Sequence, residues 1–232
     1  MKVSMFIIAF LFIQAITNGQ DKTDKNTSSR CFIADVFMKL PFTSLNEEEK
    51  KELLKNTERV LDEERQTIEI DTINNFIFIQ SCFIESMTMP CENYYIRSYL
   101  QKKNVYKIVY SNSSTCFADK HQQELEVYEY NLGTKVLMKD TTEYKVLKLS
   151  LKDFFKVNTP EIVLAKYSEN VSPIYTFNGK RISCYISDAG YSNTLRNEPW
   201  LKGRDIEIEW DGNTFLIIKF IPYNDDNKSF EE

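Results

Sequence analysis

Three short turns constrain this chain more than any other feature. Asn131-Leu132-Gly133, Asn178-Gly179 and Asp211-Gly212 each separate two runs rich in β-branched and aromatic residues. Asn-Gly and Asp-Gly between alternating runs are strong hairpin signals, because the central residues of such turns favour positive φ. Tight hairpins join antiparallel neighbours and leave no room for crossover helices. The pattern therefore argues against a parallel α/β sheet.

The runs between the turns read as strands. They cover Thr67–Asp71, Phe76–Phe83, Tyr94–Leu100, Val105–Tyr110, Glu124–Tyr130, Thr134–Lys139, Glu143–Leu149, Ile162–Tyr167, Ile174–Phe177, Arg181–Ser187, Ile206–Trp210 and Thr214–Ile221. One helix precedes them, after an apolar stretch from Cys31 to Phe42 that ends at Pro41. Ser44 with Glu47 has the pattern of a capping box, and Glu47, Glu48 and Glu49 suit the positive end of a helix dipole. Leu45, Leu53, Leu54, Val60 and Leu61 form one stripe, which predicts a helix from Ser44 to about Glu64. The expected fold is mostly β, an antiparallel meander closing into a barrel with one N-terminal amphipathic helix. The alternative is α+β, with a helix packed on an antiparallel sheet.

The N-terminus reads as an export signal. Lys2 precedes an apolar run from Met5 to Ile16, broken only by Gln14 and too short to span a bilayer. Thr17 and Gly19 precede a cut before Gln20. Residues 1–19 are thus expected to be a signal peptide and 20–30 a flexible mature N-terminus. Residues 31–223 would form one domain and 224–232 a polar acidic tail. Secretion gives weight to four Asn-x-Ser/Thr sequons, at Asn26, Asn112, Asn170 and Asn227, all expected in loops or tail. It also makes disulfides the expected state of Cys31, Cys82, Cys91, Cys116 and Cys184. Cys82 and Cys91 flank the turn-like stretch Met87–Pro90, so a local clip between them is reasonable. Cys31 would gain most by being tied to a strand. The odd cysteine could bridge two chains, and oligomeric state stays open.

The composition bears on partners and chemistry. The formal net charge is −5, which argues against nucleic acid or an anionic membrane surface as partner. His121 is the only histidine, and the chain has no Gly-x-Ser-x-Gly elbow, no Walker loop and no zinc-ligand spacing. No enzyme activity, metal or cofactor is expected. Binding is. Period two puts Glu124, Glu126, Tyr128 and Tyr130 on one face, and carboxylates beside tyrosines suit a cationic amine. The acidic sets Glu69 with Asp71, and Asp205 with Glu207 and Glu209, read as solvated faces. Trp200 lies in the long connection Ser187–Arg204, either as the anchor of a lid or as a core filler.

A secreted antiparallel barrel of this kind is similar in architecture to the lipocalins, so calycin-type closure around a small ligand is the expectation. The Gly-x-Trp signature usual near the first lipocalin strand is absent, since Trp200 and Trp210 both lie late. The expected partner is a small apolar or amine ligand held in the barrel by Glu126, Tyr128, Tyr130 and Trp200. The alternative is a secreted interaction module that binds a protein partner without catalysis.

Overall fold

The computed structural model describes residues 32–41, 45–61, 64–83, 91–114, 123–168, 171–178, 181–187 and 192–222. Helix α1 covers 32–39, inside the apolar stretch before Pro41. Phe32, Ile33, Val36, Phe37 and Leu40 recur at helical spacing and are all buried.

Helix α2 is Glu47–Asn56, shorter than expected at both ends. Its cap is Asn46, not Ser44, which lies outside the described residues. The Asn46 side chain accepts from the Glu48 and Glu49 amides, and the Glu49 carboxylate accepts from the Asn46 amide. The capping box is therefore real but sits two residues later than expected. At the other end Thr57 takes a left-handed conformation (φ 62°), and its N–H closes on Leu53 O. The chain then enters strand β1, Glu58–Leu61, which pairs with β2, Glu64–Asp71. Residues 58–61 were expected to be helical. Ladder bonds to β2, with Arg59 ion-paired back to Glu49 and Glu52, hold them extended instead.

A meander follows: β3 Phe76–Phe83, β4 Cys91–Lys102, β5 Val105–Ser114, β6 Gln123–Asn131 and β7 Val136–Lys139. With β1 and β2 these make one antiparallel seven-stranded sheet in sequence order. Two 3-10 turns, Lys145–Leu147 and Leu151–Phe154, and helix α3, Glu161–Ser168, lead to a second sheet. That sheet comprises β8 Ser172–Asn178, β9 Arg181–Ser187, β10 Asp205–Trp210 and β11 Phe215–Ile221, in the order β11-β10-β9-β8. A short helix α4, Ser192–Arg196, lies between β9 and β10.

Two expected strands are not strands. Glu143–Leu149 contains the first 3-10 turn, followed directly by a box in which Ser150 and Asp153 start the second. Ile162–Tyr167 is helical because Pro160 begins the turn, its carbonyl accepting from Val163 and Leu164. Tyr167 is then buried while Ile162 points to solvent, a helical split rather than an alternating one.

The turns also correct the reasoning behind them. In the β6–β7 hairpin the left-handed residue is Lys135 (φ 56°), not Gly133, and the Asn131 side chain organises the turn by accepting from Gly133 and Thr134. Gly212 does carry positive φ, at 102°. Gly179 lies outside the described residues. Asn75 and Asn104, also left-handed, turn the β2–β3 and β4–β5 hairpins.

The molecule is mostly β, in three layers. Helices α1 and α2 pack on one face of the seven-stranded sheet, over Ile68, Ile77, Ile79, Tyr94, Ile96, Ile108 and Tyr130. The four-stranded sheet packs on the other face, where Tyr99, Val109 and Val127 meet Phe177, Ile182, Ile186, Ile206, Ile208 and Phe215. Trp210 Nε1 donates to Leu100 O across that interface (2.9 Å). Strands β1 and β7 are the edges of one sheet, β11 and β8 of the other, and no closed barrel is detected among the described residues.

Cys82 and Cys91 are direct cross-strand partners and form a disulfide, with 4.2 Å between their Cα atoms. Cys184 is a buried free thiol. Cys31 and Cys116 lie outside the described residues, as do Asn26, Asn170, Asn227 and residues 1–19. Asn112, expected in a loop, is instead inside β5, paired between Tyr94 and Glu124. Its run of Ser and Asn is polar like a loop, but long-range pairing on both sides makes it a strand. Among the described residues no helix is long and apolar enough to cross a membrane.

Candidate functional site

Strand β6 places Glu126, Tyr128 and Tyr130 on the helical side of the large sheet, as period two requires. The Glu124 side chain lies outside the described residues. Opposite them on β5 stand Tyr110, Ile108 and Tyr106. Tyr110 stacks on Tyr94 of β4, with centroids 6.4 Å apart and planes 12° from parallel. The result is a row of tyrosines edged by carboxylates: Tyr94 donates to Glu92, and Tyr128 to Glu126.

The protein's own groups supply the partners here. Lys139 of β7 ion-pairs with Glu126, at the place a ligand amine would take. Burial alone would raise the Glu126 carboxyl, but the bonds from Lys139 and Tyr128 outweigh it and hold the group below its ordinary value. Burial pushes the Tyr110 phenol up, and burial with the Glu126 bond does the same for Tyr128. Tyr130 is fully buried and donates to Asp35 of α1, which Lys39 also contacts at 2.6 Å. Phe32 packs at a tilt against Tyr106 and Tyr130, with centroids 4.4 and 5.4 Å away.

Trp200 is on the opposite side of the large sheet from this row. The segment carrying it is strapped to the second 3-10 turn: Lys156 N donates to Trp200 O and Lys202 N to Phe154 O, both at 2.8 Å, with a Phe155–Leu201 bridge between. Trp200 packs, half-buried, on the core between the sheets. Glu126, Tyr128 and Tyr130 are thus brought together, and Trp200 is not brought to them. His121 lies outside the described residues. The acidic face of β10 is partly neutralised, with Glu207 on Arg181 at 2.8 Å, whereas burial raises the Asp205 carboxyl.

Two features escaped the sequence reading. Between the sheets, Lys107 of β5 is buried and bonded to Asp140 at 2.7 Å and Glu129 at 3.0 Å, while Tyr144 also donates to Asp140. Burial would raise Asp140, but the bonds from Lys107, Thr142 and Tyr144 hold it well below the usual carboxylate range. The other is the edge strand β11, which turns Leu216 and Ile218 outward, 45% and 43% exposed. Its signal was legible: Phe215 to Ile218 is continuously apolar, without the polar alternation of a strand with one solvated face. The opposite edge, β8, is better protected. The Gln123 side-chain amide bonds both the N–H and the C=O of Tyr175, doing for that residue what a neighbouring strand would do.

No family model matches the chain, and no curated protein matches it. Among solved structures, a domain of an uncharacterized protein from Porphyromonas gingivalis W83 is similar, with a TM-score of 0.50 at 14% identity. The match covers 78% of this chain and 96% of that one. At that identity the likeness speaks to fold alone.

Proposed function

We propose that the protein is an exported, non-catalytic interaction module whose partner is another protein. The observation that carries this reading is the apolar outward face of β11, an edge with no further strand beside it among the described residues, which presents Leu216 and Ile218 to solvent. Exposed apolar edge strands are natural templates for another chain. Export rests on the leader-like N-terminus and the sequons, with which the Cys82–Cys91 disulfide is compatible. The competing reading, a small apolar or amine ligand in a calycin-like barrel, draws support from the tyrosine row beside Glu126. It is the weaker one, because Lys139 already holds that carboxylate.

Two measurements on full-length protein from its source test the proposal. Cross-linking in the source's extracellular medium yields a protein adduct with the wild type that is lost in a Leu216→Asp, Ile218→Asp variant. Native mass spectrometry shows the purified chain without an amine or neutral apolar adduct. A retained amine or neutral apolar molecule together with no protein adduct would overturn the reading.

A further inference from the structure

Strand β4 sends Arg97 and Tyr99 into the layer between the two sheets, on the same face as Tyr95, and Gln101 follows in the bulge between Leu100 and Lys102. Arg97 is 2% exposed and Tyr99 7%. Among the described residues, Arg97 Nε, Tyr99 Oη and Gln101 Oε1 are buried without a hydrogen-bond partner. Among the described residues, the guanidinium is attracted by Tyr99, whose ring lies 5.6 Å from Cζ, and through space by Asp71. The Asp71 carboxylate is itself engaged by the Ile73 and Asn74 amides and the Asn74 side chain.

The neighbouring cation shows what the fold does when it intends a buried charge to be self-sufficient. Lys107 stands directly opposite Tyr99, on the same face, and is given two carboxylates. Among the described residues Arg97 has no carboxylate in ion-pair contact, and removing a charge from water without a paired counter-charge costs several kcal/mol per ion. The Arg97 guanidinium offers only donors and the Tyr99 hydroxyl can donate, which matches a carboxylate, and the unpartnered Gln101 Oε1 further along the strand matches a hydroxyl or amino donor. The cross-strand neighbour of Arg97 is Phe76, which stacks with Tyr95 and Phe177 and offers an apolar wall.

We propose that the layer between the sheets binds a small carboxylate with an aromatic or apolar body and a nearby hydroxyl or amino group, held by Arg97, Tyr99 and Gln101. This site is separate from the β11 edge and does not depend on the partner-binding reading.

Thermal unfolding of the full-length chain tests it, with phenyllactate and benzoate as probes and chloride and phosphate as controls. Phenyllactate raises Tm by several degrees at saturation, with the logarithmic dependence expected of a ligand that binds the native state. Benzoate, lacking the hydroxyl, does less, and the inorganic anions do nothing. Arg97→Met, which removes the buried charge and keeps the volume, folds at least as stably and loses the response. Tyr99→Phe keeps the ring and weakens binding by about tenfold, the equivalent of one hydrogen bond. The assignment is overturned if neither carboxylate shifts the wild type, if phosphate or chloride does as much, or if Arg97→Met still responds.

Discussion

The two faces of the seven-stranded sheet are covered by different means. The helical face is closed by α1 and α2, which come from one short N-terminal stretch, and its charged groups are paired where they enter the core: Asp35 with Tyr130, Lys50 with Leu40 O at 2.6 Å, Glu126 with Lys139, while Ser98 Oγ is buried without a partner among the described residues. The other face is closed by a second sheet, made from the C-terminal part of the chain. Its packing is dominated by aromatics, with Phe215 edge-on to Tyr99 and Tyr144 at 5.2 and 5.3 Å. There one buried cation is paired and another is not. A helix brings flexible ends and caps to a sheet, so it meets polar groups cheaply. A second sheet brings a stiff pleated surface whose backbone is already committed to its own ladder, so polar groups there depend on a few fixed side chains.

The largest expected effect asks whether the faces are one cooperative unit. Phe37→Ala on the helical side and Phe154→Ala on the sheet side should each cost about 3–5 kcal/mol, since both are fully buried. Trp200 and Trp210 both report on the sheet side. In Phe37→Ala, tryptophan fluorescence and helical circular dichroism should melt together; separate midpoints would mean that the two faces unfold as independent units.

Asp140→Asn sharpens the contrast between the buried cations. It leaves Lys107 with only the half-exposed Glu129 and should cost about 3 kcal/mol at neutral pH. Asp140 is held below its ordinary value of 3.8, so its contribution is present above that pH and lost as pH falls below it. Lys107 is raised above 10.5, so its part is lost only as pH climbs past that value. The variant should therefore show a shallower loss of stability on acidification, read from urea midpoints between neutral pH and pH 3.

Gly203→Ala probes where the end of β11 is docked. An added Cβ would lie 2.6 Å from Ile221 O, and backbone cannot step aside as a side chain can, so about 1–3 kcal/mol is expected. Trp210 fluorescence should report it if the strand shifts. Smallest is Tyr130→Phe, which removes the bond to Asp35 and should cost about 1 kcal/mol. A larger loss in urea unfolding would show that this one hydroxyl anchors α1. The Cys184 thiol, pushed up to about 12 by burial, should resist alkylation in the native protein and react only on unfolding.

Much of the strand pattern was legible in the sequence because it is written locally. Phe76–Phe83 and Arg181–Ser187 have the same limits in the structure as in the reading, since a run of β-branched and aromatic residues defines a strand within a few positions. Local composition also misled. Ile162–Tyr167 is as β-branched and aromatic as a strand, and its helix depends on the start at Pro160 and on which of its residues find a core. Residues 58–61 continue a helical stripe yet pair with a strand. For the candidate site, period two correctly grouped Glu126, Tyr128 and Tyr130, because a face is a property of one strand.

The sequence by itself determined that this is a mostly β chain of antiparallel neighbours with a capped helix early in its domain, and it made a clip between Cys82 and Cys91 reasonable. Each of these depends on residues within about ten positions of one another. The tertiary structure decided the rest: that the strands form two stacked sheets, that helices cover the tyrosine row, that Lys139 and Asp35 occupy its polar groups, and that Trp200 lies on the other side. Those outcomes turn on contacts such as Tyr130 with Asp35, 95 residues apart. A strand's period says which side chains share a face, but carries no information about which layer will cover that face.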